Sequence, residues 1–374
     1  MTHSPAKHVL ILGGYGEAGY RLARLLGEDF QGHITLAGRS PDKGRESAAC
    51  LQALPGNHAY FHALTIDLST IEAAAGCPKG CDLVIVACPL SDRSLGALIE
   101  GCIRHSTDFI DLAPMAAKAR IFAEWADTIK SGKSRFILDA GANPGLPGWL
   151  VRYATSRHPA ANSLKLWGRY RSDRIGWDGV GDILDEVGNQ GWRYRRGWRK
   201  VPGWDMRAHR FPGGLGCGVC VPIHLQELSD LPDQLGLERF SFYHAGLNPV
   251  TDTLMTLERF GLLHLLSPGT RQSLFFHAMR RFSHPPFGLA LVAELEYDGE
   301  TLEMSLWHRD LYQATAVPTV LMARMLLSDP TLRPNYGFLG FWAMQHSDFG
   351  GALKQHDFHL DEADRLGDQP AQPG

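Results

Sequence analysis

Several things are missing from this chain, and each absence excludes a class of protein. No run of residues approaches the ~18 consecutive apolar positions that span a bilayer, so no membrane-spanning helix is expected. The first residues, Met1-Thr2-His3-Ser4-Pro5, carry no apolar export segment, and the expectation is a cytoplasmic protein. Charge of either sign is not in excess: 37 Lys and Arg face 40 Asp and Glu, for a net charge of −3 over 374 residues. Such a balance exerts no global pull toward nucleic acid or acidic membranes. Cysteine is sparse and odd in number, at seven. Cys217 and Cys220 are spaced as a C-x2-C pair with His224 four residues on, and Cys77 and Cys81 as C-x3-C. A closed zinc site needs four ligands, and none of these groups has a fourth nearby. Cys217 and Cys220 also lie among glycines rather than opening a helix, unlike a redox pair. Buried reduced thiols are the expectation. No internal repeat is present.

What the chain does have is a glycine motif in an informative place. Val9-Leu10-Ile11-Leu12 reads as a strand, and Leu22, Ala23, Leu25 and Leu26 recur at helical spacing. Between them stand Gly13 and Gly14-Tyr15-Gly16-Glu17-Ala18-Gly19, a G-x-G-x-x-G sequence joining strand to helix. In that setting Gly14 allows a tight turn and Gly16 lets backbone N–H groups approach a pyrophosphate. Gly19 lets helix and strand pack closely. The next strand, 33–37, ends in Gly38-Arg39-Ser40. A site selecting NAD carries Asp or Glu there, bonded to the ribose 2′-hydroxyl. Arg39 is instead a planar cation suited to phosphate, with Ser40 beside it and Lys43 one turn on. The cofactor expected is therefore NADP(H), bound by Gly14, Tyr15, Gly16, Glu17, Ala18, Gly19, Arg39, Ser40 and Lys43.

Strands at 8–12, 33–37, 61–66, 82–88, 108–112 and 135–139 alternate with helices at 17–27, 41–54, 70–75, 92–105 and 115–131. That alternation is the signature of a doubly wound parallel sheet, the Rossmann form of the α/β class. Open parallel sheets bind ligands beyond the carboxyl ends of their strands. Asp67-Leu68 is expected near the adenine, and Ala87-Cys88-Pro89, Ser91, Asp111 and 141–145 along the same crevice. From about 160 the texture changes to strand period: Leu164, Leu166 and Tyr170 alternate with Lys165, Trp167, Arg169 and Arg171. Further strands are expected near 217–225, 239–244, 288–297 and 301–307, with Asp298-Gly299 as a hairpin turn. These strands make one antiparallel or mixed sheet in a second, α+β domain. Residues 251–282 read as an amphipathic helical region broken at Ser267-Pro268-Gly269, and 315–327 as a late helix. The tail from 354 is polar and is expected to be disordered.

The chain resembles the saccharopine dehydrogenase-like oxidoreductases. The resemblance rests on Val9 to Gly19 with Leu36 to Ser40, on Thr107-Asp-Phe-Ile-Asp-Leu112, and on Asp139-Ala-Gly-Ala-Asn-Pro-Gly-Leu-Pro-Gly148. A further stretch, Asp310-Leu-Tyr-Gln-Ala-Thr-Ala316, opens the late helix. It covers about 1–150 and 308–330, with likeness in texture between. It implies a Rossmann domain over 1–145, a substrate and dimerisation domain over 146–310, and a C-terminal helical segment, 311–353, that returns to the Rossmann domain. It also implies NAD(P)-linked chemistry at a carbon–nitrogen bond.

Reduction of an imine asks the protein to hold two carbons close, keep the nitrogen protonated and exclude water. Asp111, at the end of the fifth strand, is the first candidate to sit near that nitrogen; a carboxylate bonded to neighbouring backbone N–H groups reads equally well. Asn143 stands before Pro144-Gly145, where its amide can meet nicotinamide or substrate, or serve the turn. Ser91 is a candidate donor near the nicotinamide ribose, and Asp92 a candidate helix cap. For an acidic substrate, 165–210 holds eleven Lys and Arg against six Asp and Glu, with Arg169, Arg171 and Arg174 the candidates to face the cleft. The same residues also fit a solvated strand face. The run Gly191 to Lys200 interleaves aromatic and basic residues as a nucleic-acid surface does. A solvated hairpin gives the same pattern, and no nucleic-acid partner is expected. His308 is a weaker acid candidate, with a surface position favoured. No Tyr-x-x-x-Lys pair stands where a short-chain dehydrogenase needs it.

The leading reading is an NADP(H)-dependent oxidoreductase acting on a small amine, imine or keto–amine condensate, and a homodimer. One alternative is a reductase of a lipid-like carbonyl or enoyl group, with peripheral lipid contact, suggested by Leu262, Leu263, Leu265, Leu266, Phe275 and Phe276. Another is a sensor that binds the dinucleotide without turnover.

Overall fold

The structure is a computed structural model that describes residues 6–112, 115, 117–172, 176–177, 180–181, 184, 191–202, 204–297 and 299–364. The chain divides into two compact units. One comprises Met1–Trp149 with Tyr312–His356; the other comprises Leu150–Leu311 with the C-terminal segment from Asp357.

In the first unit, strands β1 (Lys7–Leu12), β2 (Gly32–Gly38), β3 (Tyr60–Thr65), β4 (Leu83–Val86), β5 (Asp108–Asp111) and β6 (Phe136–Leu138) alternate with helices. The helices are α1 (Glu17–Gly27), α2 (Pro41–Gln52), α3 (Ile71–Gly76), α4 (Asp92–His105), α5 (Lys118–Glu124) and α6 (Ala126–Ser131). All strand pairs are parallel, in the order β3-β2-β1-β4-β5-β6, continued by a strand Tyr336–Phe338 beside β6. That order is the doubly wound dinucleotide-binding arrangement. The central strands are covered on both faces, which is why Val9 to Leu12 and Leu83 to Val86 are continuous apolar runs, all buried. Three rings fill one side of the core: Phe109 lies 5.5 Å from Phe136 and 5.8 Å from Phe122.

The region expected as one helix over 115–131 is two, α5 and α6, meeting at Trp125 (φ −100°, ψ 0°), a backbone state outside the helical well. The late helix, Leu311–Ser328, is longer than expected and mostly buried. Its C-terminal end is tied to β5 and β6 by Arg135, which donates to Asp108, to Leu326 O (2.7 Å) and to Asp329 O.

The second unit carries a mixed sheet. Its strands are β7 (Ser163–Arg171), β8 (Trp192–Arg195), β9 (Trp198–Lys200), β10 (Arg207–Phe211), β11 (Gly216–Ile223), β12 (Arg239–Ala245), β13 (Gly288–Tyr297) and β14 (Glu300–His308). The order is β10-β11-β12-β7-β13-β14, closed by a last strand, His359–Asp364. Only β12 and β7 run parallel among the pairs of that sheet's main path, and the β8–β9 hairpin attaches to β12. Gly299 has φ +85° in the β13–β14 turn; Asp298 lies outside the described residues. Helices Pro249–Arg259 and Pro268–Phe282 are separated by a short 3-10 turn, Leu262–Leu265.

The expectation for the tail needs correction. The tail does not lose structure at 354: Phe349–Gln355 is helical, and His359–Asp364 pairs antiparallel with β14. Its composition is too polar to form a core, but an edge strand needs only one neighbour's backbone. The His359 ring adds a stack on Trp307, with centroids 3.8 Å apart. Residues 365–374 are outside the described set. The strand β10 carries no signal in the sequence, because Arg207-Ala-His-Arg-Phe211 has too few apolar residues to show a period of two.

Candidate functional site

The loops that follow strands β1 to β6 lie at one edge of the first sheet. The tightest is 13–19. Gly13, not Gly14, holds the left-handed turn, with φ +78°. A side chain at Gly13 would meet Ala87 O at 2.7 Å, so the first loop packs against the fourth strand's exit. A Cβ at Gly14 would meet Ile11 O and Leu36 Cα at 2.9 Å, and one at Gly19 would meet Gly13 O at 2.3 Å. These three glycines let backbone approach backbone. Gly16 differs: its Cβ would meet only Gly13 O, at 3.3 Å. It is exposed and caps α1, and no side-chain cap bond is made there among the described residues. Open N–H groups at a helix start suit an anion. Glu17 and Ala18 follow in the first turn of α1, Glu17 exposed and Ala18 half-buried.

At the end of β2, Arg39 is exposed and makes no hydrogen bond or ion pair among the described residues. Ser40 caps α2, its Oγ accepting from Lys43 N at 3.4 Å. The Lys43 side chain is exposed. Tyr15 reaches across from the glycine loop, and its hydroxyl accepts from Ser40 N at 2.6 Å. Asp67, after β3, accepts from Ser69 N at 3.0 Å; that bond first, and Arg39 least, hold its carboxyl below the usual range. Leu68 packs on the core. After β4, Ala87 N donates to Leu12 O at 2.8 Å and Cys88 also packs on the core, its thiol pushed up to about 11 by burial. Pro89 is exposed.

Ser91, not Asp92, caps α4: its Oγ accepts from Ser94 N at 3.1 Å and meets Ser94 Oγ at 2.8 Å. Asp92 is the first residue of the helix.

Asp111 is buried, and its neighbours escaped sequence reasoning. The Lys118 ammonium donates to Asp111 Oδ1 at 2.5 Å and also bonds the Asp139 carboxylate. Asp139 N donates to Asp111 Oδ1 at 3.1 Å, while Asp111 Oδ2 has no partner among the described residues. All three side chains are buried. Burial, opposed by Lys118 and reinforced by Asp139, pushes the Asp111 carboxyl up to about 6. The signal for Lys118 was weak, since a lysine on a short helix reads as solvated. Asp139 (φ +53°) opens a closed loop in which Gly145 (φ +128°) would place a Cβ 2.3 Å from Asp139 O. Ala140 N donates to Asp111 O at 2.7 Å, and Ala140 O accepts from Thr319 Oγ1 at 2.7 Å. The loop carries Asn143, whose buried Oδ1 has no partner among the described residues.

In the second unit, Lys165, Trp167, Arg169 and Arg171 alternate along β7 as expected, but they are not a solvated face. Arg169 is buried: one Nη donates to Cys217 O at 2.6 Å and its Nε is unpartnered among the described residues. Arg171 is half-buried, bonded to His284 O at 2.8 Å. Arg174 lies outside the described residues. Near this pair, burial pushes the Asp252 carboxyl up to about 6 against the pull of Arg169. His244 is buried, and its imidazole is pushed down to about 3 by the same cause. His308 is buried rather than at the surface, its Nδ1 within 2.8 Å of Asp310 O. Among the described residues no three His, Cys, Asp or Glu side chains are placed to hold a metal ion. No helix among them is long and apolar enough to cross a membrane.

No family model matches the chain, and no curated protein does. Among solved structures, apo saccharopine dehydrogenase (L-Glu forming) from Saccharomyces cerevisiae superposes with a TM-score of 0.67 at 13% identity. The match covers 96% of this chain and 99% of that one. The chain therefore has the saccharopine dehydrogenase fold, an α/β Rossmann unit plus a unit with a mixed sheet. An oxidoreductase from Sinorhizobium meliloti aligns over 82% of this chain and 75% of its own at 11% identity. Its TM-score is 0.38, too low to bear on function.

Proposed function

We propose that this protein is an NADP(H)-dependent oxidoreductase acting at the carbon–nitrogen centre of a small acidic metabolite. The observation that carries the reading is the pairing of a glycine cradle, open at Gly16, with an exposed Arg39 at the end of β2 that makes no hydrogen bond or ion pair among the described residues. The cradle fits a pyrophosphate, and Arg39 with the exposed Lys43 fits a 2′-phosphate. No carboxylate of Gly38-Arg39-Ser40 would repel that phosphate. The residues that would hold the cofactor are 14–19, Arg39, Ser40, Lys43, Asp67, Leu68 and 87–89. When bound, the nicotinamide supplies a hydride to the carbon of a C=N bond, or receives one from an amine.

The chain's own part is positioning. Asp111, Lys118 and Asp139 fix the start of the loop that carries Asn143. Asn143 Oδ1, which has no partner among the described residues, would accept an N–H of the substrate or of the nicotinamide amide. In the second unit, Arg169 and Arg171 are the cations for a substrate carboxylate.

The test is calorimetric titration with NADPH and with NADH at matched ionic strength, followed by NADPH oxidation in the presence of keto-acid and amine pairs. Tight NADPH and weak NADH binding supports the reading. Binding of neither removes it. Binding without turnover on any pair favours a sensor.

A further inference from the structure

The contact between Tyr15 and the end of β2 has a consequence for cofactor choice. Tyr15 sits in the glycine loop, 25 residues from Ser40, yet its hydroxyl accepts the Ser40 backbone N–H at 2.6 Å. The ring lies over Gly38: a Cβ there would fall 2.3 Å from the hydroxyl and 2.5 Å from Cζ. A Cβ at Gly44 on α2 would rest against the same ring at 3.6 Å. The absence of a side chain at Gly38 thus makes the seat for Tyr15, and a Cβ at Gly44 would only touch the ring. A phenol has one hydrogen and acceptor lone pairs. The Ser40 N–H occupies the acceptor side, and the phenol hydrogen has no acceptor among the described residues. Ser40 follows Arg39 directly, so the hydroxyl is anchored on the backbone next to Arg39, which is exposed and makes no hydrogen bond or ion pair among the described residues.

We propose that Tyr15 is a specificity-determining residue for NADP(H), its hydroxyl donating to an oxygen of the 2′-phosphate alongside the Arg39 guanidinium. The inference rests on the NADP(H) reading above and adds to it. Arg39 supplies charge, and Tyr15 supplies a directed donor fixed by the Ser40 backbone. A hydrogen bond to a charged acceptor is stronger than a neutral one, so losing it is expected to weaken binding about ten-fold.

The experiment compares wild type and Tyr15→Phe by calorimetric titration with 2′,5′-ADP and 5′-ADP, which differ in the phosphate position and need no turnover. NADPH and NADH serve as the full-length pair. The expected result is a preference of wild type for 2′,5′-ADP and NADPH that falls about ten-fold in Tyr15→Phe, with 5′-ADP and NADH little changed. Gly38→Ala, which displaces the ring, is expected to lose the same preference while Tyr15 is still present. An unchanged preference in Tyr15→Phe overturns the inference and leaves the NADP(H) reading standing. A preference that rises overturns it too, because Tyr15 would then be obstructing the Ser40 N–H. Failure of wild type to prefer the 2′-phosphate ligands removes the NADP(H) reading itself, and the inference with it.

Discussion

The Lys118 ammonium lies 2.5 Å from Asp111 Oδ1, and both side chains are almost wholly buried. It also bonds Asp139, so one cation joins the end of β5 to the loop after β6. With both carboxylates ionised, the cluster holds more negative than positive charge away from water. The stabilisation it gives depends on keeping the cation in place.

Lys118→Met is therefore expected to cost about 3–5 kcal/mol, the scale for an uncompensated buried charge. Combining it with Asp111→Asn should recover part of that loss, since one stranded carboxylate is removed. Urea denaturation of both variants at pH 7 checks this. Equal stability of single variant and wild type would show that the cluster is not held as described.

The pH dependence of stability follows from two groups of opposite sense. Asp111 is raised to about 6, above the ~4 of an unfolded aspartate. Its contribution is full below about pH 4 and is lost as pH rises through 6. His244 is lowered to about 3, from ~6.5 unfolded. Its contribution is full above about pH 6.5 and is lost as pH falls toward 3. Denaturant midpoints between pH 4 and 7.5 should show Asp111→Asn declining less than wild type as pH rises. His244→Gln should lose less than wild type as pH falls, by up to ~1.4 kcal/mol per pH unit.

The glycines separate packing from binding. Gly19→Ala forces a Cβ against Gly13 O, and a loss of about 1–3 kcal/mol in stability is expected along with weaker cofactor binding. Gly16→Ala meets only Gly13 O, at 3.3 Å, and should lower the thermal midpoint less than Gly19→Ala does while still weakening dinucleotide binding. If Gly16→Ala binds NADPH as wild type does, close approach at Gly16 is not needed.

Arg39→Asp should weaken NADPH binding by about 1–3 kcal/mol, the scale of a lost charge-assisted bond, and leave NADH binding unchanged or improved. Equal loss of both in paired titrations would remove Arg39 from the 2′-phosphate role.

Truncation after His356 should lower the thermal midpoint. It removes His359–Asp364, exposes the β14 edge and strips His359 from Trp307. Increased light scattering on heating is the accompanying sign of an open edge. An unchanged midpoint would mean that this last strand adds nothing to the unit.

The elements of the first sheet were legible because their determinants are local. Four-residue apolar runs, turn glycines and helical spacing between them depend on neighbours a few residues away. Such signals place Gly14, Gly16, Gly19 and the Arg39 strand end on one motif before any packing is known. The strand β10 and the last strand were not legible. Their stability comes from pairing with β11 and β14, and polar side chains do not announce a backbone partner.

The sequence by itself determined the doubly wound unit, the mixed-sheet unit and a cation, rather than a carboxylate, at the β2 exit. Periodicity, turn residues and the sign of one side chain carry that information within short windows. Tertiary structure alone decided which groups stand together: Lys118 and Asp139 with Asp111, Tyr15 with Ser40, and a buried Arg169 where the pattern also allowed a solvated face. Those pairings cross from 7 to 48 residues of chain. They depend on which charges lose their water together, and composition and spacing do not encode that.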